Sequence, residues 1–258
     1  MTLGCTAALT ACGGGGSGDS GAEQSAATPA SAPVATPTKR TTALPLIVLL
    51  RGDSTNYGSH PGENTGSVPN QTPNNPAALM QTDFDILFGP GVVKVVNAAE
   101  PGSTIEDDLY GTGPYTAGPL QAVLPGTGAS VVVTNAELND ASYGVDPSLY
   151  QTYLETWVRT VQTAGMVPVI EEPNPTCIAP IGSNGARTID AAYIDVQHTV
   201  SLQFNTTVLP VYNAFVAQSN WQSLLQADCE HPTDAGYEFK EGQYMTNLYP
   251  IVKAMLGR

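Results

Sequence analysis

Five short apolar runs punctuate the chain: Leu46–Leu50 (LIVLL), Val92–Asn97 (VVKVVN), Ser130–Thr134 (SVVVT), Val167–Glu171 (VPVIE) and the weaker Thr207–Pro210 (TVLP). They are rich in β-branched residues and almost continuously apolar, as strands covered on both faces should be. Longer segments with helical spacing lie between them: Pro76–Phe88, Asp146–Ala164, Ile189–Phe204 and Thr233–Leu256. In the second of these, Leu149, Tyr153, Trp157 and Val161 recur every four residues and predict its buried stripe. Thr233 or Asp234 is placed to cap the last. Strands alternating with helices through right-handed crossovers predict a parallel sheet with helices on both faces. In such a sheet the chemistry sits beyond the carboxyl ends of the strands.

The first part of the chain reads differently. Residues 13–43 are dominated by Gly, Ser, Ala, Thr and Pro, with too little apolar surface to offset the entropy of ordering. They read as a flexible tether. Residues 1–12, MTLGCTAALTAC, are small and apolar and end in Leu9-Thr10-Ala11-Cys12, which looks like a bacterial lipoprotein box with Cys12 as the lipidated residue. The basic stretch that opens a signal peptide is missing, the first basic residue being Lys39, which implies a start further upstream. The competing reading is a disordered N-terminus with an incidental cysteine. The expected plan is a truncated leader (1–12), a linker (13–43) and one folded domain (44–258), exported and either lipid-anchored or free in the periplasm or medium.

Charge narrows the partners. Of 258 residues, 41% are hydrophobic and only 12% charged, with 9 Lys+Arg against 23 Asp+Glu for a net −14. That field repels a phosphate backbone and an anionic membrane surface, so nucleic acid is excluded and membrane contact is left to an N-terminal anchor. No run of apolar residues reaches the roughly 18 needed for a transmembrane helix. Cys5 and Cys12 belong to the leader, leaving Cys177 and Cys229 as the domain's pair. In an exported protein such a pair reads as a disulfide; two buried free thiols are the alternative. The loop it closes, roughly fifty residues, is worth about 4 kcal/mol in the chain-entropy model. No Cys or His spacing suits zinc, so neither metal nor cofactor is expected.

Candidate chemistry sits at the strand ends. After the first run comes Arg51-Gly52-Asp53-Ser54, after the second Asn97-Ala98-Ala99-Glu100-Pro101-Gly102, after the third Asn135-Ala136-Glu137-Leu138-Asn139-Asp140, and late in the chain Asp228-Cys229-Glu230-His231-Pro232-Thr233. A second Gly-Asp-Ser, residues 18–20, has no strand before it and reads as linker. Singly, Ser54 fits a helix N-cap, His231 a loop histidine and Asn139-Asp140 a plain turn. His198 reads as a surface or core residue of its helix, and His60 as an exposed loop residue near Ser54. Arg51 to Ser54 also spells an adhesion motif, but such a motif needs an exposed tip, and this one abuts the most apolar run in the chain.

The ordered set resembles the SGNH (GDSL-like) hydrolase superfamily. "VLLRGDST" resembles its first block, "VVNAAEPGST" the second, "VVVTNAELNDA" the third and "DCEHPTDAGY" the fifth, while "EEPNP" resembles the end of its fourth strand. The resemblance implies a three-layer α/β/α sandwich on a flavodoxin-like, five-stranded parallel sheet. It implies a serine esterase with Ser54 as nucleophile, His231 as base and Asp228 as its orienting partner, and an oxyanion hole from Ser54, Gly102 and Asn139. The substrate would be a small-molecule or carbohydrate ester, an O-acetyl sugar or a short acyl chain.

Two departures stand out. Relatives carry a glycine where this chain has Glu137, and a carboxylate facing a developing oxyanion would oppose catalysis. Arg51 is the expected counter-ion. If Glu137 does face the site, the alternative is a catalytically impaired, exported binding protein on the same fold. The second departure is "AAEPG", where relatives are richer in glycine.

Overall fold

The computed structural model describes residues 45–60, 70–177 and 191–258. The leader, the linker, Cys12 and the second Gly-Asp-Ser lie outside them. Within the described residues the chain runs β1 (Leu46–Arg51), α1 (Ser54–Tyr57), α2 (Pro76–Phe88), β2 (Val93–Asn97), α3 (Ile105–Tyr110), α4 (Leu120–Thr127) and β3 (Val131–Thr134). It continues through α5 (Leu138–Ser142), α6 (Pro147–Thr163), β4 (Val167–Glu171), α7 (Ala191–Phe204), β5 (Thr207–Leu209), α8 (Val211–Val216) and α9 (Asp234–Met255).

All four strand pairings are parallel, in the order β2-β1-β3-β4-β5. This is the flavodoxin-like arrangement, a three-layer α/β/α sandwich. The pleat explains the layers, because successive side chains of a strand point to opposite faces. Leu46, Val48 and Leu50 of β1 join Val131, Val133 and Val169 in a core closed by Met80 and Phe84 of α2 and Tyr244, Leu248 and Val252 of α9. Leu49, Val132 and Ile170 point the other way, into a core closed by Tyr150, Leu154, Trp157 and Val161 of α6. The central strands β1 and β3 are almost wholly buried, whereas the edge strand β2 exposes Lys94. A charged side chain blunts an open edge.

Helix starts follow local chemistry. Asn75 and Asp146 cap α2 and α6 with their side chains, each followed by a proline that has no N–H to lose. Thr233, not Asp234, caps α9 by accepting from the Gly236 N–H at 3.1 Å. The buried stripe of α6 differs from the expected one: it is Tyr150, Leu154, Trp157, Val158 and Val161, and Leu149 is 43% exposed. A strict four-residue step drifts by about 40° each time. Steps of three and four together keep a stripe facing the sheet.

Candidate active site

The order β2-β1-β3 puts the reversal of strand order between β1 and β3, and the crevice opens there at the carboxyl ends. β1 leaves the sheet through Gly52, whose φ is +112° and where a Cβ would lie 1.8 Å from Asn135 Oδ1. Only glycine allows that approach. The Asp53 N–H donates to Asn135 Oδ1 at 3.0 Å, and Asn135 Nδ2 donates to Thr55 Oγ1 at 2.6 Å and Asp53 Oδ1 at 3.1 Å. Asp53 caps α1, accepting from the Thr55 N–H at 2.8 Å. Ser54 is therefore the first residue of α1, on a turn clamped from β3. Its backbone N–H is one of the unpaired donors of a helix's first turn.

From the other side comes the loop ahead of α9. Asp228 Oδ1 accepts the N–H groups of Glu230 and His231, both at 3.0 Å, and Asp228 Oδ2 lies 2.7 Å from His231 Nδ1. His231 Nε2 lies 2.9 Å from Ser54 Oγ, across 177 positions of sequence. Burial works to raise the Asp228 pKa, but the Glu230 N–H, the imidazole and the His231 N–H outweigh it and hold this carboxyl below its ordinary range. Cys229, between the two, is joined to Cys177 by a disulfide. The same loop is held by the Cys177 N–H on the Cys229 carbonyl at 3.0 Å and by Asn174 Nδ2 on the Glu230 carbonyl at 2.9 Å.

The loop after β2 closes the third side. The Gly52 carbonyl accepts from the Glu100 N–H, Ser103 Oγ and the Tyr115 hydroxyl, each at 2.9 Å. Asn139 Nδ2, on α5, donates to the Ser103 carbonyl at 2.9 Å. This bond fixes the amide while its second hydrogen stays available. Gly102 has φ +81° and open space where a Cβ would be. Ser54, Gly102, Asn139 and His231 thus share one cleft of about 700 Å³. Among the described residues, no group of three or more His, Cys, Asp or Glu side chains is arranged to hold a metal ion.

The expected Arg51–Glu137 pair does not form. Arg51 Nε donates to Asp108 Oδ1 at 2.7 Å, its Nη2 bonds the same oxygen, and its guanidinium lies 4.2 Å over the Tyr115 ring. Trp157 Nε1 takes the other Asp108 oxygen at 2.8 Å. Glu137 is fully buried and does not line the cleft. Its charge acts instead on Tyr150, whose phenol is pushed up by burial first and by Glu137 and Asp140 next. His60 is buried rather than exposed, 3.5 Å from Asp234, and His198 Nε2 lies 2.7 Å from Glu172 at the end of β4.

The sequence reading missed the supports. Asp108 and Tyr115 carry no motif, although Thr104 and Asp107 form a capping box that announces α3. Lys240, fully buried in α9, pairs with Glu171 at 2.9 Å and reaches Thr55 Oγ1 at 3.0 Å, and nothing in its neighbourhood in the chain sets it apart from a surface lysine.

A crystal structure of a lipase/acylhydrolase from Enterococcus faecalis resembles this fold with a TM-score of 0.63 at 22% identity, over 83% of this chain and 96% of that one. An acetyl-xylooligosaccharide esterase from Geobacillus, solved as a mutant, matches at 0.58 and 19% identity, over 80% of this chain and 94% of that one. A psychrotrophic esterase from Pseudoalteromonas matches at 0.59 and 17%, over 80% and 98%. No curated protein sequence matches the chain. The fold and the cleft together define an ester hydrolase of the SGNH type. The chain belongs to the GDSL-like lipase/acylhydrolase family, whose model matches residues 50–239.

Proposed function

We propose that this protein is a serine esterase that removes short acyl groups, O-acetyl groups of carbohydrates among them, with Ser54, His231 and Asp228 as its triad. The observation that carries the reading is the unbroken line from Asp228 Oδ2 through both imidazole nitrogens to Ser54 Oγ, at 2.7 and 2.9 Å. Ser54 Oγ attacks the ester carbonyl carbon as its proton passes to His231 Nε2. Asp228, held ionised, fixes the Nδ1–H tautomer and stabilises the imidazolium. The oxyanion meets the N–H groups of Ser54 and Gly102 and the free hydrogen of the Asn139 amide. Collapse expels the alcohol, which takes the proton from Nε2. Water then repeats the cycle, releasing the acid and restoring Ser54.

An impaired binding protein would need Glu137 in the cleft, and its burial elsewhere removes that support. Among the structures with this fold is an esterase of acetylated xylooligosaccharides, in keeping with an acetyl-sized acyl group. Export with a lipid on Cys12 rests on Leu9-Thr10-Ala11-Cys12 and on the Cys177–Cys229 disulfide, a bond of oxidising compartments. Labelled palmitate should enter the full-length precursor and not its Cys12→Ala variant.

The activity is tested with p-nitrophenyl acetate and a fluorophosphonate probe. Wild type should turn over the ester and be labelled once, at Ser54, and Ser54→Ala should do neither. Wild-type protein that is folded yet unlabelled would overturn the reading.

A further inference from the structure

Asp228 and His231 stand at the tip of a short hairpin. Its arms are joined by the Thr233 N–H on the Leu224 carbonyl and by the Gln226 N–H on the His231 carbonyl, each at 2.8 Å, with Leu225 paired antiparallel to Pro232. The Gln226 carbonyl takes the Cys229 N–H at 2.9 Å and closes the tip. The Gln226 side chain reaches from this hairpin to the other half of the site. Its Nε2 donates to the Pro232 carbonyl at 2.8 Å and to the Ser59 carbonyl, 167 positions away, at 3.1 Å. Ser59 belongs to the turn that ends α1: its N–H and that of Gly58 bond the Ser54 carbonyl at 2.9 and 3.0 Å. An amide nitrogen carries two hydrogens. Gln226 therefore places one beside His231 and the other on the turn that carries Ser54.

We propose that Gln226 is a positioning residue, whose side-chain amide holds His231 at the distance from Ser54 that proton transfer needs. This rests on the esterase reading above and adds a residue to it. The disulfide and Asn174 tie the hairpin to the segment after β4, whereas Gln226 ties it to the nucleophile's own turn. The distinction matters during turnover. The bond from His231 Nε2 to Ser54 Oγ is given up when the serine attacks, and the imidazolium then has to deliver its proton to the leaving alcohol. A link that does not pass through the reacting atoms keeps the two residues in register through that step. Both side-chain bonds of Gln226 go to backbone carbonyls, and Gln226 does not line the cleft. Its loss should therefore slow the chemistry without weakening substrate binding. A displacement of about 1 Å at a reacting group can cost about 10² in rate.

Gln226→Met keeps the length of the side chain and removes both donors. With p-nitrophenyl acetate, kcat should fall about 10- to 100-fold while KM stays within about twofold, and fluorophosphonate labelling of Ser54 should slow by a similar factor. Gln226→Glu has the same shape but turns a carboxylate towards two carbonyl oxygens. It should lose at least as much, and it gives the same readout if the methionine variant does not fold. Gln222→Met, at an exposed position shortly before Gln226, should leave kcat unchanged. The decisive comparison is in the His231→Ala background, whose remaining turnover comes from the oxyanion hole and binding. There Gln226→Met should lower the rate no further. An unchanged kcat in the folded Gln226 variants, a rise in KM that accounts for the loss, or an equal loss with and without His231 would overturn the positioning role and leave the esterase standing. Wild type that neither hydrolyses the ester nor is labelled at Ser54 would remove the esterase reading, and this role with it.

Discussion

Arg51 and Asp108 form a closed ion pair beneath the turn that carries Ser54: Nε and Nη2 of the arginine converge on one carboxylate oxygen, and Trp157 Nε1 holds the other. Burial alone would lower the Arg51 pKa, yet Asp108, Tyr115 and Glu100 together more than restore it, so the guanidinium stays charged. Breaking such a pair from one side leaves an uncompensated charge, which typically costs about 3–5 kcal/mol. Asp108→Ala should lose about that much stability in denaturant unfolding. In double-mutant cycles Arg51 should couple strongly to Asp108 and, within about 0.5 kcal/mol, not to Glu137.

Asn139 is held by its bond to the Ser103 carbonyl, and Ser103 in turn holds the Gly52 carbonyl. The amide is therefore set before substrate arrives. Asn139→Ala should lower kcat for p-nitrophenyl acetate by about 10²–10³, the usual loss of one oxyanion donor, with a much smaller change in KM. A larger effect on KM than on kcat would assign the amide to ground-state binding.

The strands and the four long helices were legible because burial on both faces and helical periodicity are local patterns. Three of the blocks were legible because each sits directly after a strand, and the fourth because Asp228 and His231 stand three residues apart just ahead of the last helix. What could not be read is how distant blocks are tied together. Nothing near Arg51 in the chain says that its partner is Asp108, 57 positions on, rather than Glu137. Glu137 looked dangerous because it stands two residues before Asn139, yet the backbone at the start of α5 carries it into the interior beside Tyr150. The short helices α3, α4 and α5 were also missed, being too brief for a period to emerge. His198, on α7, shows the same limit: its carboxylate, Glu172, comes from the end of β4.

Cys229 lies between Asp228 and His231 with φ +62°, a conformation that residues other than glycine seldom adopt. Its disulfide to Cys177, with the Cys177 N–H on its carbonyl, ties this loop to the segment after β4. Reduction frees the loop before it frees the sheet. Titrated with dithiothreitol, the protein should lose esterase activity at concentrations where its near-ultraviolet signal is still native. Cys177→Ser with Cys229→Ser should lower stability by about 4 kcal/mol. Activity and tertiary signal lost in a single step would show that the bond holds the whole domain and not this loop.

Glu241 of α9 is pushed up to about 8, first by burial and then by the Asp83 carboxyl of α2, to which it is also hydrogen-bonded. The folded state thus keeps a proton that the unfolded chain releases near its ordinary pKa of 4.5. Where the folded state binds more protons, stability falls as pH rises. The contribution is intact below pH 4.5 and is lost progressively as pH climbs through about 8. Glu241→Gln removes the titration. Its Tm should exceed that of the wild type by about 2–4 °C at pH 9 and match it near pH 5. A gain of equal size at both pH values would mean that packing, not the proton, is responsible.

Lys240 and Glu171 are both fully buried and 2.9 Å apart, and Lys240 also donates to Thr55 Oγ1, next in the chain to Ser54. The pair could serve the fold alone or also the turn, and two substitutions separate these roles. Lys240→Met strands the Glu171 carboxylate and should cost about 3–5 kcal/mol, whereas Lys240→Met with Glu171→Leu replaces the pair by apolar packing and should recover most of that loss. Thr55 Oγ1 also accepts from Asn135 and donates to Asp53, so it fixes the turn only while its donors are in place. The double variant, though stable again, should therefore still show a reduced kcat with KM near the wild-type value, and slower fluorophosphonate labelling of Ser54. Activity that returns in step with Tm would instead confine Lys240 to the fold.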